Sequence, residues 1–332
     1  MIDMTSLIEP RLASAIRRAA VRATLAPSVH NTQPWRFLLG GSALEVHADW
    51  SRRLRVLDPR GRQLLISCGC AVFNARVALA AAGYDALVEV FPDPSQPNLV
   101  ARLTLPDETV DGLLIGALDA VVESRQTNRR RFADEPLPPE VGQALVQIAD
   151  SERAQLIPIS LPQDRQTVAR LSQQADDFEN LDPAYRAELR AWTSEDPRRL
   201  DGVPALAVPH VDADAHDDVP LRDFDTHGHG WLPTETHSSL NQAMFLLSTA
   251  QDTPSDWVYA GEALEHILLE ITRRGYVASP FTQVIEVAAT NIALRQQLNL
   301  QMHPHLLLRI GRAPATPASR RRRLVDMLSE SE

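Results

Sequence analysis

The chain has 332 residues, a formal net charge of −10 and a 44% apolar content, enough for one large domain or two of about 150 residues around a sizeable core. The acidic balance argues against nucleic acid or an anionic membrane as partner, because phosphate-rich surfaces call for positive charge. No run of 18 apolar residues is found, Met1 to Pro10 lacks the basic-then-apolar order of a secretory leader, and two cysteines cannot build a disulfide scaffold, so a cytoplasmic protein is expected.

Leu12, Ile16, Ala19, Ala20 and Ala23 recur at helical spacing and predict a first helix. The run Ala26-Pro27-Ser28-Val29-His30-Asn31-Thr32-Gln33-Pro34-Trp35-Arg36-Phe37 follows. Its two prolines push the preceding residues out of helical geometry, so it reads as a stiff loop leading into a strand at Phe37-Leu38-Leu39. Neutral donors and acceptors on such a loop suit the edge of a flat heteroaromatic ring; an ordinary helix-to-strand loop with a buried Trp is the alternative. Cys68 and Cys70 open an apolar helix that ends at Gly83-Tyr84. A Cys-x-Cys dithiol would close a strained ring, and small packing residues are the simpler account.

A strand is read at Leu99 to Leu103 and a joining segment at 106–124. Then comes Arg125-Gln126-Thr127-Asn128-Arg129-Arg130-Arg131-Phe132. Arg forks and a Thr hydroxyl suit a phosphate dianion, although a solvated basic face gives the same composition. Segment 201–237 is rich in Asp, Pro and Gly and carries His210, His216, His227, His229 and His237. These spacings match no zinc pattern, so no metal site is expected, and a lid or insertion over a site is the favoured reading. Thr253-Pro254-Ser255-Asp256 reads as an N-cap, Pro at the first helical position and an acidic third residue.

The helix it opens echoes the earlier one. Gly69, Ala71, Leu79, Gly83 and Tyr84 find counterparts in Gly261, Ala263, Ile271, Gly275 and Tyr276, each 192 positions later. Leu99-Val100-Ala101-Arg102-Leu103 is echoed by Leu306-Leu307-Leu308-Arg309-Ile310. An α+β fold of two homologous halves, 1–116 and 117–332, forming an intrachain pseudo-dimer is expected, with the two echoing helices packed at its centre.

The first loop resembles the nitroreductase motif A-P-S-x-x-N-x-Q-P-W at Ala26, Pro27, Ser28, Asn31, Gln33, Pro34 and Trp35. Arg125, Thr127 and Arg129 are similar to that family's R-x-S-x-R, with the following aromatic displaced to Phe132. Gly275 to Phe281 resembles the exit loop after its central helix, and Arg320 to Arg323 stands where the family often has a basic phosphate ligand. The combination is similar to the fused, Acg-type subfamily of actinobacteria. The resemblance implies a nitroreductase-like fold and bound FMN. It places the cofactor against Pro27, Ser28, Asn31, Gln33, Arg125, Thr127, Asn128, Arg129, Ser279, Pro280, Phe281, Arg321 and Arg322. Hydride would pass from NAD(P)H to FMN and then to a nitroaromatic, quinone or other small acceptor. An FMN-storing protein with little turnover is the alternative. The family often sets a Lys at the reduced ring's negative edge; this chain has no Lys, so an Arg or backbone N–H must serve. The first half has the loop and the second half the basic run, so one complete site per chain and a working monomer are expected. The second half's loop counterpart, near Ser151 to Gln155, keeps nothing of the motif.

Overall fold

The computed structural model describes residues 5–129, 132–194, 196, 198–204, 222, 242–316 and 318–329. Its elements begin with α1 (Thr5–Ala23), β1 (Trp35–Gly40), β2 (Ala43–Ala48), α2 (Arg62–Ala81), β3 (Leu87–Val90) and β4 (Leu99–Thr104). After a 3-10 helix at Leu114–Val121 come α3 (Pro139–Ser151), β5 (Gln155–Pro158), α4 (Pro162–Leu181), α5 (Pro183–Trp192) and the two-residue strands β6 (Thr193–Ser194) and β7 (Val203–Pro204). Then follow β8 (Ala243–Thr249), α6 (Pro254–Arg273), β9 (Val277–Phe281), α7 (Gln283–Glu286), α8 (Ala288–Gln297) and β10 (His303–Gly311).

Two antiparallel sheets carry the fold, in orders β1-β2-β4-β3 and β5-β8-β10-β9. The orders coincide when β1 is matched to β5, β2 to β8, β3 to β9 and β4 to β10. The second sheet therefore repeats the first one's pattern, with α4 to β7 inserted between β5 and β8 and α7 and α8 between β9 and β10.

The matched helices keep the 192-residue offset at both ends, Arg62 to Pro254 and Ala81 to Arg273. They make the most extensive helix contact in the molecule. At the crossing the backbones nearly touch: a Cβ on Gly69 would lie 2.1 Å from Val258 O, and one on Gly261 would lie 2.0 Å from Ile66 O. Only glycine allows that approach. Gly83 and Gly275 both adopt positive φ, 86° and 77°, and end the two helices alike. Thr253 accepts from Asp256 N while the Asp256 carboxylate accepts from Thr253 N, the capping box read from the sequence.

By length and composition alone α2 could cross a membrane, but it is buried along nearly its whole length. A helix apolar on every face suits a central position, where α1, α6 and the 114–121 helix surround it.

Candidate functional site

The Pro27–Trp35 loop is held in an unusual conformation. His30, Asn31 and Gln33 have φ of 46°, 54° and 50°, a region costly for side chains other than glycine. Local bonds impose it: Ser28 Oγ accepts from Gln33 N at 2.9 Å, and Ser67 Oγ on α2 accepts from Val29 N at 3.1 Å.

Against this loop lie two chambers that meet at Pro27, Ser28, Thr127 and Arg129. The first encloses about 820 Å³ including its open mouth. Its walls come from the loop, from Gln63, Ile66, Ser67 and Cys70 on α2, from Leu264 on α6, and from Pro280 to Gln283 around the end of β9. These walls are mainly apolar. The second, of about 490 Å³, is lined by Asn31, Arg125, Gln126, Val203, Ser319 and Arg321 besides the shared residues. It is a cationic pocket. Arg125 Nε and Nη1 and Arg321 Nε are buried and donate no hydrogen bond among the described residues.

The predicted residues divide into two sets. Pro27, Ser28, Asn31, Arg125, Thr127, Arg129, Pro280, Phe281 and Arg321 line the chambers. Gln33, Asn128, Ser279 and Arg322 line neither. Gln33 is fully buried and clamps the C-terminal segment: Oε1 accepts from Arg322 N at 2.8 Å, and Nε2 donates to Leu200 O at 2.8 Å. Asn128 donates to Pro314 O at 2.8 Å, and Arg322 donates to Gln33 O and Asp326 O. Ser279, on β9, is fully buried. Asn31, although it lines the second chamber, works as a brace. It accepts from Arg321 Nη1 at 3.0 Å and donates to Gly202 O and Arg320 O at 3.0 and 3.1 Å.

Arg129 is half-buried; burial, then Arg222, lower its pKa to about 10, so it stays cationic at neutral pH. His30 is held neutral, its pKa pushed well below the usual value by burial, Arg222 and Arg129. Arg222 lines the first chamber and is anchored by Glu286 at 2.5 Å and by the Tyr185 hydroxyl. It belongs to the 201–237 segment, of which 205–221 and 223–237, with all five histidines, lie outside the described residues. Nothing local in the sequence marked Arg222, because its partners lie on α5 and α7.

Cys68 and Cys70 are free and buried, and burial pushes both thiols up, which leaves no reactive dithiol. Among the described residues, no group of three or more His, Cys, Asp or Glu comes together as a metal site.

A second cleft, about 1600 Å³ including its mouth, occupies the pseudo-symmetric position. Tyr259 and Glu262 line it where Ser67 and Cys70 stand in the first site, 192 residues earlier. Ser151, Glu152 and Arg153 take the place of the loop. Arg76 bridges Glu152 at 2.6 Å and Glu262 at 2.9 Å, and His266 meets Glu152 at 2.9 Å. Burial raises Glu262 to about 7 against the pull of Arg76. Three carboxylates, Asp85, Glu152 and Glu262, against two guanidiniums, Arg76 and Arg153, make a poor anion site.

No family model matches the chain. Curated relatives do. A Mycobacterium tuberculosis H37Rv protein named "Putative NAD(P)H nitroreductase Rv3131" is 31% identical over 325 residues, 96% of this chain and 92% of the relative. Another from the same organism, named "Putative NAD(P)H nitroreductase acg", is 30% identical over 319 residues, 94% of each chain. Among solved structures, the FMN-dependent nitroreductase NfnB of Mycobacterium smegmatis in complex with NADPH aligns at 14% identity and TM-score 0.39, covering 66% of this chain and 100% of its own. A Desulfitobacterium hafniense nitroreductase with bound FMN aligns at 13% and 0.41, covering 65% and 98%. By its full-length likeness to the mycobacterial relatives, the chain belongs to the NAD(P)H nitroreductase family.

Proposed function

We propose that the joined chambers hold one FMN and that the chain is a monomeric NAD(P)H-dependent oxidoreductase acting on a small acceptor such as a nitroaromatic or quinone. The observation that carries this reading is the cationic chamber itself: among the described residues the buried Arg125 Nε and Nη1 and Arg321 Nε donate no hydrogen bond, and this chamber shares four wall residues with a mainly apolar slot. Unmet buried donors are costly, and a phosphate supplies what they lack. Bound there, FMN would supply the hydride-accepting ring chemistry that no side chain offers.

The chain's own residues position and polarise. Ile66, Leu264, Phe281 and Leu306 form an apolar wall that keeps water off one face of a bound ring. Arg129 lines both chambers, and as a cation there it would serve bound FMN where this chain has no Lys. The sequence divides at about residue 116, the first half contributing the loop and α2, the second contributing Arg125, Thr127, Arg129, β9 and Arg321. The storage reading draws support from Arg222, a cation of the 201–237 segment pinned at the first chamber.

Titration of apoprotein with FMN is expected to saturate at one equivalent per chain, because the second cleft presents carboxylates where the first presents donors. Bound FMN is then expected to be reduced by NADH or NADPH. No saturable FMN binding, or two equivalent sites, overturns the assignment; saturable binding without steady-state reduction shifts it to storage.

A further inference from the structure

Behind the cationic chamber lies a carboxylate. Glu265 on α6 is fully buried, with Oε1 3.3 Å from Arg125 Nε. Arg321 interacts with the same pair from the C-terminal segment, and Asn74 and Cys70 face it from α2. Neither Glu265 oxygen, nor the Asn74 carbonyl oxygen, has a hydrogen bond of normal geometry among the described residues. A charge enclosed this fully survives only beside opposite charge, and here the two guanidiniums provide it.

The charge balance changes when a phosphate monoester enters. Arg125, Arg129 and Arg321 against Glu265 leave the chamber cationic. A phosphate dianion bound there shares the Arg125 guanidinium with Glu265 and sets a like charge near it. A second anion nearby disfavours carboxylate ionisation.

We propose that Glu265 is the counter-ion of the cationic chamber in the FMN-free chain and takes up a proton when the phosphate of FMN binds, so that cofactor capture weakens as pH rises. This rests on the FMN reading of the site. Burial lifts Glu265 to about 7 against the opposing pull of Arg125, so the free chain releases this proton near neutrality. The bound form keeps it to higher pH. Between those two points affinity falls with rising pH, by at most about tenfold per pH unit. The phosphate loses its own second proton near pH 6, below that window.

The experiment uses the full chain without cofactor, titrated with FMN at about pH 7 and about pH 8.5. Calorimetry in two buffers of different ionisation heat counts protons. The expected result is uptake of roughly half to one proton per FMN between these pH values, with a Kd about tenfold higher at the upper one. Glu265→Gln is expected to abolish both effects and to bind more tightly than wild type at the higher pH. Riboflavin, which lacks the phosphate, should show neither effect in wild type. Absence of proton uptake by wild type, or equal uptake by Glu265→Gln or with riboflavin, overturns the proposal. Should Glu265→Gln not fold, the wild-type proton count and the riboflavin comparison still decide it. Failure of FMN to bind at all is a different result: it removes the FMN reading, and this inference with it.

Discussion

Gly261→Ala is expected to lower the melting temperature by ~5 °C or more, although Ala is the better helix former by about 1 kcal/mol. The added methyl would sit 2.0 Å from Ile66 O and 2.8 Å from Gly69 Cα, both backbone atoms of the opposing helix. Neither can rotate away, so the central helices must separate. Overpacking of this kind costs about 1–3 kcal/mol and sometimes more, and the rigid neighbours here place the cost at the upper end. Gly69→Ala should behave alike, since its methyl meets Val258 O at 2.1 Å. The double variant should cost less than the sum, because one displacement relieves both contacts. Gly142→Ala is the control: its methyl meets only the tip of the Phe245 ring at 3.6 Å, so stability should hold or rise. Thermal melts of the four variants check this. A Gly261→Ala protein as stable as Gly142→Ala would mean that the crossing is looser than the structure shows.

Arg125→Ala is expected to weaken FMN binding by roughly 10- to 100-fold, the range of about 1.5–3 kcal/mol for charge-assisted bonds. It should also destabilise the empty chain, by roughly 3 kcal/mol or more, because Glu265 loses its nearest opposite charge in a fully buried position. Arg129→Ala should weaken FMN similarly. Asn31→Ala should cost less, roughly fivefold, since its side chain braces Arg321 rather than meeting an anion itself. Fluorescence titration of FMN with each variant gives the ranking, and unchanged affinity in both Arg variants would show that the run is a structural cluster without an anion.

Much of this was legible because the relevant signals are local. The capping box at Thr253, the Gly83 and Gly275 helix ends and the 192-residue echo are all short-range patterns, and each reappears in the fold. Side-chain roles were less legible where they depend on distant chain. Gln33 and Arg322 belong to neighbouring motifs, yet they bind each other's backbone groups across 289 positions instead of facing the cavity. No periodicity reports such a clasp. Glu265 did leave a trace, one turn along from Gly261 on an apolar helix face, where an ionised side chain has to find a buried partner. Arg222 left none, since its neighbours Tyr185 and Glu286 come together only after α5 and α7 pack.

The C-terminal segment has a consequence for the order of assembly. Ser329 N donates to Phe37 O, Trp35 meets Met327 Sδ at 3.2 Å, and Arg321 closes the cationic chamber beside Asn31. A ribosome makes the loop 290 residues before it makes Arg321. At about 5–20 residues per second, roughly 15–60 s separate the two, and the N-terminal half spends that time with an unfinished pocket. Capture of a phosphate-bearing ligand is therefore a late event in the life of each new molecule, coming after translation has passed the final arginines.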